Sequence, residues 1–171
     1  MPPLYTIYST LGSKTDAYDD TQGAYVTGPD SNYGQCWTAL PFTPKSNAEV
    51  TEIEVPVGYY QGGTNGVAIS LNEDKNGLPG KPLHTWNLKN LPTFGTCCKL
   101  DVVKDVTGLK VKKGTQYWIV ASTNKSTEST EAVWAETWND SKGAYAFNTS
   151  GYWWPVNQII PALGVFGKKT K

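Results

Sequence analysis

Apolar and polar residues alternate with a period of two in several short stretches of this chain, and no stretch keeps the 3.6-residue period of an amphipathic helix. In residues 52–57 the apolar side chains share one face, while two glutamates and Pro56 share the other. This pattern predicts a strand with one face in water, and Pro56 indicates a sheet edge or a bulge. Residues 67–71 alternate in the same way after the glycine-rich stretch 61–66, which predicts a hairpin.

Further short strands are predicted at frequent intervals, separated by turns rich in glycine, proline and asparagine. They are residues 5–8, 24–27, 35–42, 83–88, 98–102, 109–111, 117–121, 132–138, 144–147 and 162–166. Many short strands with frequent turns are typical of β-sandwiches and barrels. We therefore expect an all-β fold, a jelly-roll-like antiparallel β-sandwich of about 8–10 short strands, which forms a single domain over residues 1–171.

The charge composition argues against several classes of function. The chain has 15 lysines and no arginine, 15 acidic residues and a formal net charge of zero. Proteins that bind nucleic acid concentrate basic side chains, and they use arginine to contact guanine. No apolar run approaches the ~20 residues of a membrane-spanning helix. Nucleic acid is therefore not an expected partner, and membrane insertion is not expected.

Aromatic residues are abundant, with seven tryptophans and ten tyrosines in 171 residues. Trp37, Trp86 and Trp118 lie in apolar strand contexts and are predicted to belong to the core. The remaining candidates for ligand binding lie in three places: the glycine-rich turn near residue 60, the alternating stretch 132–138 and the expected loop 151–155. Aromatic rings can stack on the apolar face of a sugar while carboxylates and amides bind its hydroxyls. The predicted ligand-binding residues are Tyr59, Tyr60, Trp134, Glu136, Trp138, Trp153 and Trp154.

Three cysteines, Cys36, Cys97 and Cys98, leave one thiol over if a disulfide forms. A bond from Cys36 to Cys97 or Cys98 would close a loop of about 60 residues and would stabilise the fold by about 4 kcal/mol. The alternatives are a bond between the adjacent pair and three reduced, buried thiols. We expect the bond to Cys36, which requires an oxidising compartment.

Residues 72–77 match the opening of a calcium-binding loop, with side-chain oxygens at Asn72, Asp74 and Asn76 followed by Gly77. The twelfth position is Leu83 instead of glutamate, and Pro79 does not suit a flanking helix. A plain turn is the preferred interpretation, with structural calcium as the alternative. No other metal or cofactor is expected.

Catalytic patterns are weak. A glycoside hydrolase needs two carboxylates facing one sugar, but Glu131 and Glu136 are five residues apart and so fall on opposite faces of a strand. The single histidine, His84, has no neighbouring carboxylate, and no nucleophile motif is present. We therefore expect no catalytic residues, and a glycan-active hydrolase is the least favoured alternative.

Several ordered segments resemble one family. The stretch 69–83 is followed by Trp86-Asn87-Leu88, then by residues 91–98 and by Gly114-Thr115-Gln116-Tyr117-Trp118. Over residues 20–167 the chain is similar to the choice-of-anchor R domain, which occurs in secreted bacterial proteins. The resemblance implies a secreted or surface-attached β-sandwich, and it implies no catalytic residues.

These observations lead to two main hypotheses about function. In the first, the domain is a non-catalytic extracellular binding module that recognises a polysaccharide or another glycan through exposed aromatic residues. In the second, it is a structural or adhesive cell-surface domain that acts through protein contacts or self-association. The solvent exposure of the aromatic side chains should discriminate between a ligand platform and simple core packing.

Overall fold

The structure, a computed structural model, describes residues 3–104 and 107–171, and within these ranges it contains fourteen β-strands and no helix. The first seven strands are β1 (Tyr5–Ser9), β2 (Tyr18–Thr27), β3 (Trp37–Phe42), β4 (Ala48–Val55), β5 (Val57–Gln61), β6 (Gly66–Lys75) and β7 (Leu78–Lys89). The others are β8 (Asp101–Val103), β9 (Leu109–Val111), β10 (Tyr117–Ser122), β11 (Glu131–Thr137), β12 (Lys142–Asn148), β13 (Trp153–Ile159) and β14 (Gly164–Lys169). The described part of the chain thus has no helix long and apolar enough to cross a membrane.

The strands form three antiparallel sheets, which confirms the predicted all-β class and agrees with a β-sandwich. The six-stranded sheet has the order β13-β12-β3-β10-β6-β7, and the three-stranded sheet has the order β2-β11-β5. In the five-stranded sheet the order is β1-β14-β4, and the two ends of β4 pair separately with β8 and β9.

The five-stranded and three-stranded sheets adjoin to form one layer of the sandwich. Only Pro56 separates β4, in the first sheet, from β5, in the second. Its carbonyl accepts a hydrogen bond from the N–H of Ala135, and the Ala135 carbonyl accepts one from Ala162. Proline has no N–H to continue the ladder, so the extended chain changes sheet at this residue.

Three expectations about individual strands are corrected. Residues 52–57 and 67–71 do not form a hairpin, because β5 pairs with β11 while β6 pairs with β7 and β10. The loop expected around Trp153 is the edge strand β13, which pairs with β12. The expected total of 8–10 strands is too low, since Pro56 divides one stretch in two and short strands such as β8 and β9 add to the count.

A single main core lies between the layers, and all three sheets contribute to it. Inward-pointing residues include Val50, Ile53 and Val55 from one layer and Leu71 and Ile119 from the other, and the alternation along β4 is shifted by one residue between Val50 and Glu52. Each of these inward-pointing residues is fully buried. Burying an aliphatic side chain of this size contributes about 1.5–3 kcal/mol, which makes this core the main source of stability.

The six-stranded sheet also buries side chains on the face opposite the main core. Ala39, Trp118, Val120 and Ala146 form a second cluster there, and Trp153 packs against it. This sheet is strongly curled, because Cα atoms of its two edge strands, β7 and β13, come within 8 Å of each other. Small residues at the centre of the cluster are compatible with such curvature, since little space remains inside the curl.

Candidate functional site

Three exposed tyrosines lie together on the outer side of the three-stranded sheet. Tyr25 is on β2, Tyr60 is on β5, and Tyr33 is in the loop that connects β2 to β3. Their side chains are 49%, 53% and 54% exposed for Tyr25, Tyr33 and Tyr60 respectively. The neighbours Ala24 and Val26 are in the main core, so the strand alternation directs Tyr25 outward. We call these three residues the tyrosine platform.

The rings of Tyr25 and Tyr33 are stacked. Their centroids are 5.3 Å apart and their planes differ by 18°. Charge on Tyr60 raises the pKa of Tyr33, and burial and the charges of Tyr25 and Glu131 raise it further, which shows that these groups are neighbours. A gap of this size between nearly parallel rings leaves no room for a guest between them, so a ligand must lie on the platform.

Glu131, at the start of β11, holds the two segments that carry Tyr33 and Tyr60. Its side chain is 1% exposed. Its Oε1 accepts a 2.9 Å hydrogen bond from the backbone N–H of Asn32, and its Oε2 accepts a 2.6 Å bond from Nε2 of Gln61. Hydrogen bonds to an ionised carboxylate are about twice as strong as neutral ones. The donors are the residues next to Tyr33 and Tyr60, so this carboxylate orders the platform before any ligand binds.

The loop that carries Tyr33 is fixed by further bonds. The hydroxyl of Thr27 donates to the carbonyl of Gly34 at 2.6 Å, and the N–H of Gly28 donates to the carbonyl of Thr130 at 3.0 Å. A Cβ at position 28 would lie 2.0 Å from the carbonyl oxygen of Glu128, so only glycine allows this approach. The platform therefore stands on a rigid support, and its loops do not need to order on binding.

The tyrosine platform combines flat apolar surfaces with polar neighbours. Asn32 and Gln61 are exposed beside Tyr33 and Tyr60, and each has a side-chain amide that can both donate and accept hydrogen bonds. A saturated ring with one apolar face and peripheral hydroxyl groups fits such a surface. Chemically, the arrangement can bind and orient a ligand, but it presents no nucleophile beside a general base.

Among the predicted site residues, only Tyr60 is part of the platform. Tyr59 instead packs against the main core, and its hydroxyl donates to the carbonyl of Gly62 at 3.1 Å. The prediction for Trp134 is wrong: it is 0% exposed, and its indole N–H donates to the carbonyl of Ala162 at 2.7 Å. It lies on the inner face of β11, where alternation places it in the core.

The other predicted tryptophans are dispersed. Trp138 follows the end of β11, is exposed, and covers Gly12. Trp154 is exposed on β13 opposite Phe147, whereas Trp153 points to the other face and is partly buried beside Trp118. Of the tryptophans predicted to be core, Trp118 is buried, and Trp37 and Trp86 are partly buried. No single surface collects the predicted set.

Glu136 lies at the far end of β11, away from the segments that Glu131 holds. It lines a polar pocket of about 360 Å³ with Gln22, Lys142, Asn157 and Gln158. Burial raises the pKa of Glu136, as do the nearby charges of its cross-strand partner Asp19 and of Asp140. Its Oε2 is buried and has no hydrogen-bond partner among the described residues.

The candidate calcium residues lie at a tight turn between β6 and β7, in agreement with the preferred interpretation as a plain turn. Asp74 Oδ1 accepts 2.8 Å bonds from Gln116 Nε2 and Trp118 Nε1, and Oδ2 accepts a 3.0 Å bond from the N–H of Gly77. Burial raises the pKa of Asp74, but these three bonds outweigh it, so the pKa lies below its usual value. Asn72 bonds with Ser70 and Gly80. The side chains of Asn72 and Asp74 thus bind the protein itself, and structural calcium stays the untested alternative.

The expected disulfide of Cys36 is not formed. The sulfur atoms of Cys97 and Cys98 are bonded to each other, and Cys36 is free. Cys36 is held opposite Thr27 at the turn between the two layers, and burial raises the pKa of its thiol to about 11. Cys98 instead packs beside Ala17 and Leu100 in a small separate cluster. The fold therefore keeps Cys36 in a different environment from the adjacent pair.

Tyr25 and Tyr33 were missed from the sequence. The alternation in Ala24-Tyr25-Val26 already indicates that Tyr25 faces water. No local pattern indicates that the loop at Tyr33 folds back on Tyr25.

Comparisons of the chain with family models, with curated proteins and with solved structures found no significant match. The functional argument therefore depends on the chemistry of the site itself.

Proposed function

We propose that this protein is a non-catalytic extracellular binding module that recognises a neutral polysaccharide through the tyrosine platform. The observation that carries this proposal is the stacked pair Tyr25–Tyr33 with Tyr60 beside it, all half-exposed on one face. A contiguous patch of exposed aromatic rings commonly marks a site of contact with a ligand or partner, whereas a single exposed ring needs no explanation. A pyranose ring offers the flat apolar face that such a surface can cover.

Preorganisation supports a binding role. The carboxylate of Glu131 ties down both Asn32 and Gln61, so the adjacent tyrosines keep their positions without a ligand. A ligand then loses less of its binding free energy to the ordering of loops. Core packing does not explain the arrangement, because the platform faces away from the main core.

The charges near the tyrosine platform favour a neutral ligand over an anionic one. Asp30 and Glu128 lie in the loops beside the platform, where the N–H of Asp30 donates to the carbonyl of Glu128 at 2.9 Å. Glu131 adds a third carboxylate beneath the tyrosines. Like charges at close range disfavour binding, so a glycan rich in uronic acid or sulfate would bind weakly.

An extracellular location is part of this proposal. The bond between Cys97 and Cys98 supports it, since disulfides persist mainly in oxidising compartments. The resemblance to the choice-of-anchor R domain would imply the same location, but no family model matches the chain.

The experiment is affinity gel electrophoresis with a neutral β-glucan, a xylan, a mannan and an anionic pectin. We expect at least one neutral polymer to retard the protein and pectin to have no effect. Tyr33→Ala should reduce the affinity about tenfold, since stacking on one aromatic ring contributes about 1 kcal/mol beyond the area it buries and about 1.4 kcal/mol corresponds to a factor of ten. Tyr152→Ala is the matched control, because Tyr152 is highly exposed but lies on the β12–β13 hairpin. The absence of retardation with every neutral polymer, or equal retardation of the Tyr33 variant, would contradict the proposal.

A second candidate function is self-association or adhesion through another aromatic surface. Tyr152 and Trp154 are both exposed at the β12–β13 hairpin, and β13 is an edge strand. Exposed aromatics on an edge strand are suited to protein contacts. Size-exclusion chromatography with light scattering tests this function. A dimer that Trp154→Ala dissociates would favour it, and a monomer at every concentration would count against it.

A further inference from the structure

A second concave site lies on the outer side of the five-stranded sheet, where the disulfide forms part of its wall. It is a cleft of about 630 Å³, within the usual range for small-molecule sites. Its charges come from Glu54 and Lys14. Its apolar surface comes from Leu11, Ala17, Cys98, Leu100 and Phe166. We call it the disulfide cleft.

The apolar wall of the disulfide cleft is held in place by Tyr18. This buried hydroxyl donates a 2.7 Å hydrogen bond to the carbonyl of Thr96 and accepts a 2.7 Å bond from the N–H of Lys99. It therefore binds the backbone on both sides of Cys97 and Cys98. The N–H of Ala17 points to the sulfur of Cys98 at 3.3 Å. The wall is consequently rigid before a ligand arrives.

The opposite side of the cleft depends on Gly164. A Cβ at this position would lie 2.5 Å from the ring of Phe166 and 2.8 Å from Cδ1 of Leu11, so both side chains lie over the glycine. Gly164 is the register partner of Glu54 on β4. The carboxyl group of Glu54 therefore lies beside an apolar surface made by Phe166 and Leu11.

The electrostatics of the disulfide cleft favour a cation at Glu54. Glu52 lies two residues away on the same face of β4, which places a second carboxyl group beside the first. Burial, a hydrogen bond with Glu52 and the charge of Glu52 raise the pKa of Glu54 to about 7, while Lys104 lowers it. Lys14 lies on the exposed rim, and on β14 Lys168 is the register partner of Glu49 and not of Glu54. A cation from a ligand would relieve the repulsion between the two carboxyl groups.

We propose that the disulfide cleft binds a small organic amine, with its ammonium group paired to Glu54 and its apolar body against Cys98, Leu100 and Phe166. The volume of the cleft, its rigid apolar wall and its half-buried carboxyl group together define this ligand class. The site is independent of the tyrosine platform, so neither proposal depends on the other.

The test is calorimetric titration at pH 7.5 with benzylamine and, for comparison, with benzyl alcohol and benzoate. These probes share an aromatic ring, and the attached group is cationic in benzylamine, neutral in benzyl alcohol and anionic in benzoate. We expect benzylamine to bind at least tenfold more tightly than benzyl alcohol, and benzoate not to bind. Leucylglycine and its N-acetylated form are measured in parallel. If leucylglycine binds and its N-acetylated form does not, and if Glu54→Gln weakens this binding as well, the amine that the cleft recognises is the N-terminus of a peptide.

Two variants and one measurement make the test decisive. Glu54→Gln should weaken benzylamine binding at least tenfold, whereas Glu73→Gln, at an exposed glutamate on β6, should have no effect. Amide shifts on benzylamine binding should be confined to residues around Leu11 and Leu100. Equal binding of benzyl alcohol, unchanged affinity of Glu54→Gln, or no binding of any amine at millimolar concentration would overturn the proposal. Tyr33→Ala should leave benzylamine binding intact, which separates this result from the outcome for polysaccharides.

Discussion

Glu131 and Gln61 are joined by a 2.6 Å hydrogen bond that links the middle strand of the three-stranded sheet to the end of its edge strand β5, beside Tyr60. The carboxylate is fully buried, and its other oxygen binds the backbone N–H of Asn32. The side chain of Glu131 therefore determines the relative position of Asn32 and Gln61, which are almost thirty residues apart in the sequence. Four predictions follow from this and from other buried polar groups.

The first prediction concerns Glu131→Gln. Glutamine keeps one acceptor oxygen, but it places an NH₂ group against the donor on either Asn32 or Gln61. We expect the free energy of unfolding to fall by about 1–3 kcal/mol and polysaccharide binding to weaken, although no tyrosine is changed. Urea denaturation and gel retardation measure the two effects. Glu73→Gln is the control, and a Glu131 variant that keeps full affinity would mean that the carboxylate does not order the platform.

The second prediction concerns the pH dependence of stability at Asp101. Burial raises the pKa of Asp101 to about 7. A hydrogen bond from the N–H of Val57 lowers the pKa, but the effect of burial is larger. In the unfolded chain an aspartate titrates near pH 4. Between about pH 4 and pH 7 the native state therefore binds more protons than the unfolded state. The stability due to protonated Asp101 is fully present below pH 4 and is lost as the pH rises through 7.

The variant Asp101→Asn should remove this loss. At pH 8 we expect it to be more stable than the parent by about 1–2 kcal/mol, after allowance for solvent screening. At pH 4 the two proteins should differ little. Denaturation curves at both values measure the change. If the two proteins differ by the same amount at both pH values, Asp101 does not titrate as stated. Burial also raises the pKa of Glu54 to about 7, so the Asp101→Asn variant should still lose some stability as the pH rises.

The third prediction concerns the thiols. Cys36 is partly buried, and its raised pKa of about 11 leaves almost no thiolate at pH 8. The native protein should react slowly with a thiol reagent, and the unfolded, unreduced protein should take up one equivalent. Mass spectrometry of a proteolytic digest should find Cys97 and Cys98 linked in one peptide. A digest that links Cys36 to either of them would refute this pairing.

The fourth prediction concerns Asp74→Ala. The variant leaves the indole N–H of the buried Trp118 without its acceptor, in addition to the lost bonds to Gln116 and Gly77. An unsatisfied buried donor costs about 1–3 kcal/mol, and thermal unfolding should show a matching decrease. The same assay tests calcium on the parent protein, for which we expect no increase in the melting temperature. A clear increase would show that the ion can compete for these oxygens, and Glu73→Gln again serves as the control variant.

The class of fold could be predicted from the sequence because side chains alternate with a period of two along any strand. This periodicity correctly placed Ile53 and Val55 on a buried face, but it predicted one strand over residues 52–57, which Pro56 divides in two. It did not show which strand pairs with which. The stretch around residue 60 looked like the turn of a hairpin, but its partner is β11, more than seventy residues further along the chain.

The candidate site was only partly predictable for the same reason. Tyr60 was predicted as a ligand contact from its place beside a glycine-rich turn. Trp134 was predicted from its place on the alternating stretch 132–138, but it is a core residue. A tryptophan in an alternating strand can face either side, and the sequence does not say which side is covered. Only the packing of the second layer decides that.

The sequence by itself determined the period of the strands, the positions of the breaks and the excess of aromatic side chains, because these are local properties of the chain. The tertiary structure alone decided that Tyr25, Tyr33 and Tyr60 meet, that Glu131 supports them from below, and that Cys97 bonds to Cys98 instead of Cys36. The physical reason is that sheet register and loop closure bring together residues far apart in sequence. Such contacts depend on the whole pattern of strand pairing, which no short segment encodes.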